Sequence, residues 1–346
     1  MTTASCRLVL VGFGNVGQGV ARSLASNPEI LAHHGLVVRL TGVVDPRFGA
    51  VADPEGLDPE HLLAAVNATG SFDRLDGAMA ADDIGSVIEA SMASVMAELT
   101  YTDLATGEPA VSHIRTALER GVHVATSNKG PIALHVDSLE RMAAANQAIL
   151  SYEGTVMSGT PALRLGSELL AAAGVLSISG VLNGTTNYMI GRMASGATFE
   201  DALAEAQHKG YAEADPSGDL EGLDAAAKLV ILARAVFGQA IAVGDVERVP
   251  LTASTAGDMA PATAGGQGWR MVAALEPANG SFRASVAPRA LDAGDGLLGV
   301  AGSTNAITFH TEMLGPVTLT GPGAGRTETA CAIMSDLLSI NQAVGS

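Results

Sequence analysis

The chain has 346 residues, enough for two domains with well-buried cores. Hydrophobic residues make up 47% of it and aromatics only 3%, so Ala, Val and Leu must fill the interior, and 41 glycines imply many tight turns or close backbone approaches. The formal net charge of −17 excludes a nucleic-acid partner, since no basic patch can offset phosphate charge, and disfavours an acidic membrane surface for the same reason.

In chain order, Arg7–Val11 reads as a β-strand, followed at once by Gly12-Phe13-Gly14-Asn15-Val16-Gly17 and a helix to about Ala25. Leu36–Val44 is a second buried strand ending at Asp45. Ser86–Glu89 and Val122–Ala125 read as further strands, Pro109–Arg120 and Leu134–Ala148 as helices, and Ile149–Glu153 as the last strand of this part. Strands alternating with helices predict a parallel, doubly wound α/β sheet.

The pattern changes after about residue 150. Pro161–Ala172 reads as a helix, Val175–Leu182 as a strand, Asn183–Asn187 as a loop, Phe199–Lys209 as a helix and Gly222–Val236 as another. Gly268–Leu275, Phe282–Pro288 and Ala306–Glu312 are β-like runs, and 326–341 is a closing helix. Thr252–Gly268, rich in Ala, Gly and Thr, is the segment expected to be most mobile. The predicted organisation is a Rossmann-type dinucleotide-binding domain over 1–150, completed by a C-terminal helix within 322–346. A second α+β domain with a mixed sheet covers 151–321.

Two cysteines far apart, Cys6 and Cys331, argue against a disulfide framework and fit a reducing compartment. The N-terminus runs straight into a strand without a basic region and cleavage site. No apolar run reaches the ~18–20 residues that cross a bilayer. A cytoplasmic protein is expected, with no membrane partner. The eight histidines lack zinc-type spacing, and His33, His34 and His123 read as structural or solvated.

The chemistry-bearing residues fall in four places. In Gly12-x-Gly14-x-x-Gly17 the first glycine permits the tight turn and the second lets backbone approach a pyrophosphate. The third allows close helix–strand packing, and the helix N-terminus receives the phosphates. Asp45, at the end of the second strand, can bond ribose hydroxyls and leans toward NAD, while Arg47 keeps NADP open. Lys129 follows a strand at a position that lines the ligand crevice of an open α/β sheet. Residues 210–232 carry Glu213, Asp215, Asp219, Glu221 and Asp224, then a lone Lys228 inside an apolar run. Asp224 and Lys228 are four apart and share a helix face. A lysine on a mostly apolar helix is paired or titratable.

This segment closely resembles the substrate-site segment of homoserine dehydrogenases, and the resemblance runs through most of the chain. Ser127-Asn128-Lys129-Gly130-Pro131 looks like the family's (T/S)-x-N-K-G-P motif, and Gly180-Val181-Leu182-Asn183-Gly184-Thr185-Thr186-Asn187 like its G-x-x-N-G-T-T-N segment. The resemblance implies NAD or NADP as cofactor and L-homoserine and L-aspartate 4-semialdehyde as substrates, in the route to threonine and methionine. By match, Lys228 would transfer the proton with Lys129 beside it. Glu213 and Asp224 would bind the substrate ammonium, Asp219 would orient Lys228 or the amine, and Asn183 and Thr185 would meet the substrate. Gly210 would touch the cofactor, and Gly325, in the turn Gly321-Pro322-Gly323-Ala324-Gly325, would approach its nicotinamide end.

Glu153-Gly154-Thr155-Val156-Met157-Ser158-Gly159-Thr160-Pro161 resembles the stretch whose backbone carbonyls hold a monovalent cation, Na⁺ or K⁺, in that family. The matching carbonyls are those of Glu153, Val156, Ser158 and Thr160. Met157 and Ser158 depart from the usual V-x-G-G-x-P form. The resemblance also implies a homodimer through the strand-rich 241–321 region. A regulatory domain of the kind that longer relatives append is not expected. A related NAD(P)-dependent dehydrogenase of another small hydroxy- or amino-acid, and a catalytically inactive cofactor-binding homologue, remain open. A phosphorylating semialdehyde dehydrogenase would need a nucleophilic cysteine, and neither Cys6 nor Cys331 is well placed.

Overall fold

A computed structural model of the protein describes residues 4–79, 83–258 and 267–345. Its Cα packing divides the chain into two compact units, 1–159 with 325–346 and 160–324. The sequence pattern puts these breaks at about 150 and 322.

The first unit is built on a seven-stranded sheet of β1 (Ala4–Val11), β2 (Leu36–Asp45), β3 (Gly49–Ala52), β4 (Ala78–Met79), β5 (Val95–Glu98), β6 (His123–Thr126) and β7 (Leu150–Ser151). The order is β4-β3-β2-β1-β5-β6-β7. β2, β1, β5, β6 and β7 run parallel, and β3 and β4 extend the β2 edge antiparallel. Side chains alternate along a strand, so Leu8 and Leu10 of β1 enter one core while Val9 and Val11 enter another. Burial on both faces explains why β1 reads as an unbroken apolar run. The helix Arg326–Gly345 adds Ala330, Ile333, Leu337 and Ile340 to the Leu8–Leu10 side.

Ser86–Glu89 is not a strand but part of the helix Ile84–Ala90, and the strand is the next apolar run, Val95–Glu98. Ile84, Val87 and Ile88 have the i, i+3, i+4 spacing of a helix, which a four-residue window hides. The helix predicted from Leu134 starts at Lys129. Asn128 caps it by accepting from Gly130 N–H at 3.1 Å, and Pro131 tolerates the first turn because no intrahelical partner awaits its nitrogen there. The strand expected over Ile149–Glu153 is only Leu150–Ser151, and Glu153 opens a 3₁₀ turn.

The second unit carries a mixed sheet of β8 (Val175–Val181), β9 (Glu247–Arg248), β10 (Gly268–Ala278), β11 (Ser281–Leu291), β12 (Thr304–Thr311) and β13 (Gly315–Pro322), in the order β13-β12-β8-β10-β11-β9. Only the β11–β9 pair is parallel. Asn279 and Gly280, both with positive φ, make the two-residue turn of the β10–β11 hairpin. β13, whose Pro and Gly content hides it in the sequence, occupies an edge, where a missing N–H is tolerated.

Asn183–Asn187 is not a loop. Asn183 is the N-cap of the helix Gly184–Ala194 and accepts from Thr186 N–H at 2.9 Å. The region predicted as helix over Pro161–Ala172 is a chain of short pieces, Ala162–Arg164, a π turn Leu165–Leu169 and a 3₁₀ turn Ala171–Ala173. Thr252–Gly268 contains the helix Ala253–Asp258, and 259–266 lie outside the described residues. The helix Leu223–Phe237 packs on β10 and β11. Every residue from Ala225 to Ala233 is buried, as expected of a helix that is apolar all round. That burial gives its one charged residue there, Lys228, its importance.

Candidate active site

In the first unit, the strand order changes direction between β1 and β5, the position where open α/β sheets hold ligands. At the end of β1, Gly12 has φ +95°, and a Cβ there would lie 2.7 Å from the Leu99 carbonyl carbon after β5. A Cβ on Gly17 would overlap the Gly12 carbonyl oxygen. Only glycines allow this turn. Gly14 caps the helix Asn15–Ser26 without a side-chain hydrogen bond, and no acidic residue stands in its first turn. The terminal N–H groups are therefore not met by a cap, and no carboxylate repels an anion. Phe13 is buried edge-on to Phe72, Asn15 Oδ1 accepts from Arg326 at 3.1 Å, and Val16 is partly buried.

Asp45 is buried at the end of β2, and its carboxylate is fully occupied. Oδ2 accepts from Phe13 N–H at 2.8 Å and Arg47 Nη2 at 3.4 Å, and Oδ1 from Arg47 N–H at 2.9 Å and Arg47 Nε at 3.2 Å. Burial alone would raise the Asp45 carboxyl, but the Arg47 guanidinium and the two backbone N–H groups outweigh it and hold it below the usual carboxylate range. The Gly-rich turn is thus tied to β2 through the residue predicted to read the ribose.

A second buried acid, Glu98, ends β5, and the sequence reading missed it. Its Oε1 accepts from Thr100 N–H at 3.2 Å and from the Thr100 hydroxyl, and His113 Nδ1 lies 3.4 Å away. Asn128 Nδ2 donates to the Tyr101 carbonyl at 2.9 Å, so this network leads to the N-cap of the Lys129 helix. The available signal was the one used for Asp45, an acid closing a wholly apolar strand. Lys129 is partly buried at the first position of its helix.

Glu153, Val156 and Ser158 belong to the first unit and Thr160 opens the second. Met157 (φ +56°) and Ser158 (φ +53°) are consecutive left-handed residues, both buried. They hold the backbone that glycines would adopt freely, at about 1–2 kcal/mol of strain each. Ser158 Oγ and Thr329 Oγ1 are hydrogen-bonded at 2.7 Å. Gly325, φ +141°, precedes the last helix in this unit, and Gly210, φ +72°, is an exposed turn in the second.

The second unit assembles the acidic cluster. Lys228, with 6% of its surface exposed, donates from Nζ to the Leu182 carbonyl at 2.6 Å and to Asp224 Oδ2 at 2.7 Å. Asn183 Nδ2 donates to Asp219 Oδ1 at 2.7 Å and to Asp224 Oδ2 at 3.1 Å. Its Oδ1 accepts from Thr186 N–H at 2.9 Å and the Thr186 hydroxyl at 3.0 Å. An amide has two N–H donors and two acceptor lone pairs, so the Asn183 side chain is saturated within the protein. Thr185 Oγ1 lies 2.8 Å from Asp219 Oδ2 and 2.7 Å from the Tyr211 carbonyl. Burial, then the Asp224 carboxylate, push the Asp219 carboxyl above its ordinary range, against the pull of Thr185, Asn183 and Lys228.

Glu213 is not brought into this network. It is exposed, and among the described residues its carboxylate has no hydrogen-bond partner; its backbone carbonyl accepts from Gln207 Nε2 at 3.1 Å. Asp215 and Glu221 are exposed, and Asp215 caps Ser217 N–H at 3.1 Å. No group of three or more His, Cys, Asp or Glu side chains could hold a metal ion among the described residues. His123 Nδ1 accepts from Ile149 N–H at 3.1 Å, tying β6 to the strand beside it, and burial lowers the pKa of its ring. Cys6 is buried, and burial pushes its thiol up to about 11, a poor nucleophile. No helix among the described residues is long and apolar enough to cross a membrane.

The family model described as homoserine dehydrogenase matches residues 161–338. A protein of Pseudomonas canavaninivorans named NAD(+)-dependent homoserine dehydrogenase is 41% identical over 338 residues, covering 97% of this chain and 96% of its own. A homoserine dehydrogenase of Methanocaldococcus jannaschii is 34% identical, covering 96% of this chain and 98% of its own. Among solved structures, a hyperthermophilic archaeal homoserine dehydrogenase in complex with NADPH superposes with a TM-score of 0.82 at 28% identity, covering 98% of each chain.

Proposed function

The chain belongs to the homoserine dehydrogenase family, and from that membership we infer that it interconverts L-homoserine and L-aspartate 4-semialdehyde by NAD(P)-dependent hydride transfer. The reading is carried by one observation: two carboxylates, Asp219 and Asp224, share one amide donor beside a single buried lysine. With all three ionised the cluster is one positive charge short, and a substrate ammonium supplies it.

The nicotinamide cofactor, when bound, supplies the hydride acceptor in one direction and the donor in the other. The Gly12–Gly17 turn suits its pyrophosphate, since close backbone approach and uncapped N–H groups coincide there. Asp45 would meet the ribose. Its lone pairs are filled by Arg47 and Phe13, so a ribose contact requires Arg47 to swing away, and Arg47 is then free to meet a 2′-phosphate.

Lys228 moves the proton. Two of the three positions on its nitrogen are fixed by the Leu182 carbonyl and Asp224. The third is an N–H in the ammonium, ready to protonate the aldehyde oxygen. In the neutral amine it is a lone pair, ready to take the alcohol proton. Asp224 thus aims the lysine as well as facing the ammonium, Glu213 adds charge from an exposed loop, and Lys129 is assigned beside the reacting oxygen. Thr185 and Asn183 act on the acids rather than on the substrate, Asn183 because its amide is saturated.

A monovalent cation is assigned to the carbonyls of Glu153, Val156, Ser158 and Thr160, since Ser158 keeps a left-handed backbone where the motif has its first glycine and Gly159 supplies the second. Carbonyl ligands depend little on side-chain identity. A cytoplasmic homodimer completes the reading, supported by the free cysteines and the resemblance of 241–321 to the family's dimerising part. Initial rates with L-homoserine and NAD⁺ or NADP⁺, with and without Na⁺ or K⁺, test the whole. Absence of NAD(P)H formation in every combination overturns it.

A further inference from the structure

Thr185 has one hydroxyl hydrogen and two short oxygen contacts, 2.8 Å to Asp219 Oδ2 and 2.7 Å to the Tyr211 carbonyl. Each distance is that of a full O–H···O hydrogen bond. A carbonyl oxygen only accepts, and so does an ionised carboxylate, so one hydrogen cannot fill both bonds. The count closes if Asp219 brings a second hydrogen. Asp219 Oδ2–H then donates to Thr185 Oγ1, and Thr185 Oγ1–H donates to the Tyr211 carbonyl.

Building on the substrate reading above, we propose that Asp219 holds a proton in the ligand-free enzyme, as the first donor of this two-bond chain, and that the substrate ammonium displaces it. The surroundings favour this. Asp219 lies on the short helix Ser217–Leu220, and the charged groups acting on it are Asp224 and Lys228 of Leu223–Phe237. Lys228 is hydrogen-bonded to Asp224, not to Asp219. Asn183 donates to Asp219 Oδ1, leaving Oδ2 as the oxygen that carries the proton. Asp219, Thr185 and Tyr211 come from three different segments, so the two ends of the chain and its middle are each held by separate backbone.

An arriving ammonium stabilises the ionised form of Asp219. The proton passes to solvent and the Thr185 hydrogen is freed to turn toward the new carboxylate. No bond other than this O–H is broken. Substrate binding therefore releases a proton, and affinity rises with pH until Asp219 is ionised in the free enzyme.

The test has two readouts. Infrared difference spectra of the full-length enzyme without homoserine, in a pH window above the ordinary carboxyl value of about 4, should contain a protonated-carboxyl band that is missing in Asp219→Asn. Should that variant fail to fold, Asp224→Asn removes the neighbouring charge and should move the disappearance of the band to lower pH. Calorimetry of homoserine binding to enzyme holding NADPH, a pair that cannot react, should show up to about one proton released to buffer, and none in Asp219→Asn. No carboxyl band at any pH in the window, or equal proton release in wild type and Asp219→Asn, overturns the proposal. A band that is present while homoserine neither binds nor reacts overturns the substrate reading and leaves Asp219 protonated.

Discussion

Lys228 donates to Asp224 Oδ2 at 2.7 Å across one turn of a helix whose stretch from Ala225 to Ala233 is otherwise apolar, so the one buried Lys or Arg among the described residues is aimed by an acid four residues before it. Removing Asp224 leaves the buried ammonium without its countercharge, whereas the half-buried Asp224 keeps the Asn183 donor when Lys228 is removed, so the two are expected to fail differently.

Lys228→Ala should lower kcat at least ~100-fold, the low end for a positioned acid/base. Lys228→Arg should not recover it, because a guanidinium does not give up its proton near neutrality. Steady-state rates with L-homoserine check this, and a wild-type kcat in Lys228→Ala would remove the lysine from the mechanism.

Asn183 couples a helix cap to the acid pair, and two substitutions separate the roles. Asn183→Ala loses the cap and should cost about 1 kcal/mol from that alone. Asn183→Ser keeps a cap acceptor and should restore most of that stability. Both lose the donor shared by Asp219 and Asp224, so both should lower kcat/KM for homoserine by about tenfold or more, the scale of a lost hydrogen bond to a charged group. Activity that follows stability in both variants would reduce Asn183 to a cap.

Asp45→Ala should raise KM for the cofactor and destabilise the fold by about 1–3 kcal/mol, since it orphans the buried Phe13 N–H. The pH dependence has a definite sign. The folded Asp45 pKa is below its unfolded value, so its contribution is fully present above about pH 4 and lost as pH falls further, through the folded pKa. Melting curves of wild type should weaken with acid in that range, and those of Asp45→Ala should be flatter.

Ser158 sits at φ +53°. Ser158→Gly relieves strain but gives up the Thr329 hydrogen bond and adds unfolded-chain entropy, so stability should stay within about 1 kcal/mol. Ser158→Val puts a β-branched residue in the left-handed region and should cost more than about 2 kcal/mol. Urea unfolding of the pair decides it, and equal stabilities would contradict the left-handed assignment.

Thiol alkylation at neutral pH should modify the exposed Cys331 and spare Cys6, whose thiol is buried and pushed up to about 11. Oxidation of homoserine should survive. Loss of activity on alkylation would revive a cysteine nucleophile.

Local patterns made much of this protein legible. Glycine spacing after an apolar strand marked the tight strand-to-helix turn, because only glycine fits the close approach of Gly12 to Leu99 and of Gly17 to Gly12. The four-residue interval from Asp224 to Lys228 marked their pairing, because one helical turn brings them together. Short windows failed where two periods fit the same residues, as at Ser86–Glu89, and where a polar run conceals a cap and helix start, as at Asn183–Asn187.

By itself the sequence determined the Gly-rich turn, the apolar helix around Lys228 and the class of chemistry, since each depends on residues within a few positions of one another. Only the tertiary structure decided which oxygen holds which hydrogen: Asn183 meets Asp219 across 36 positions and Phe13 meets Asp45 across 32. Such partners are selected by how sheets and helices pack, and no local periodicity encodes that choice.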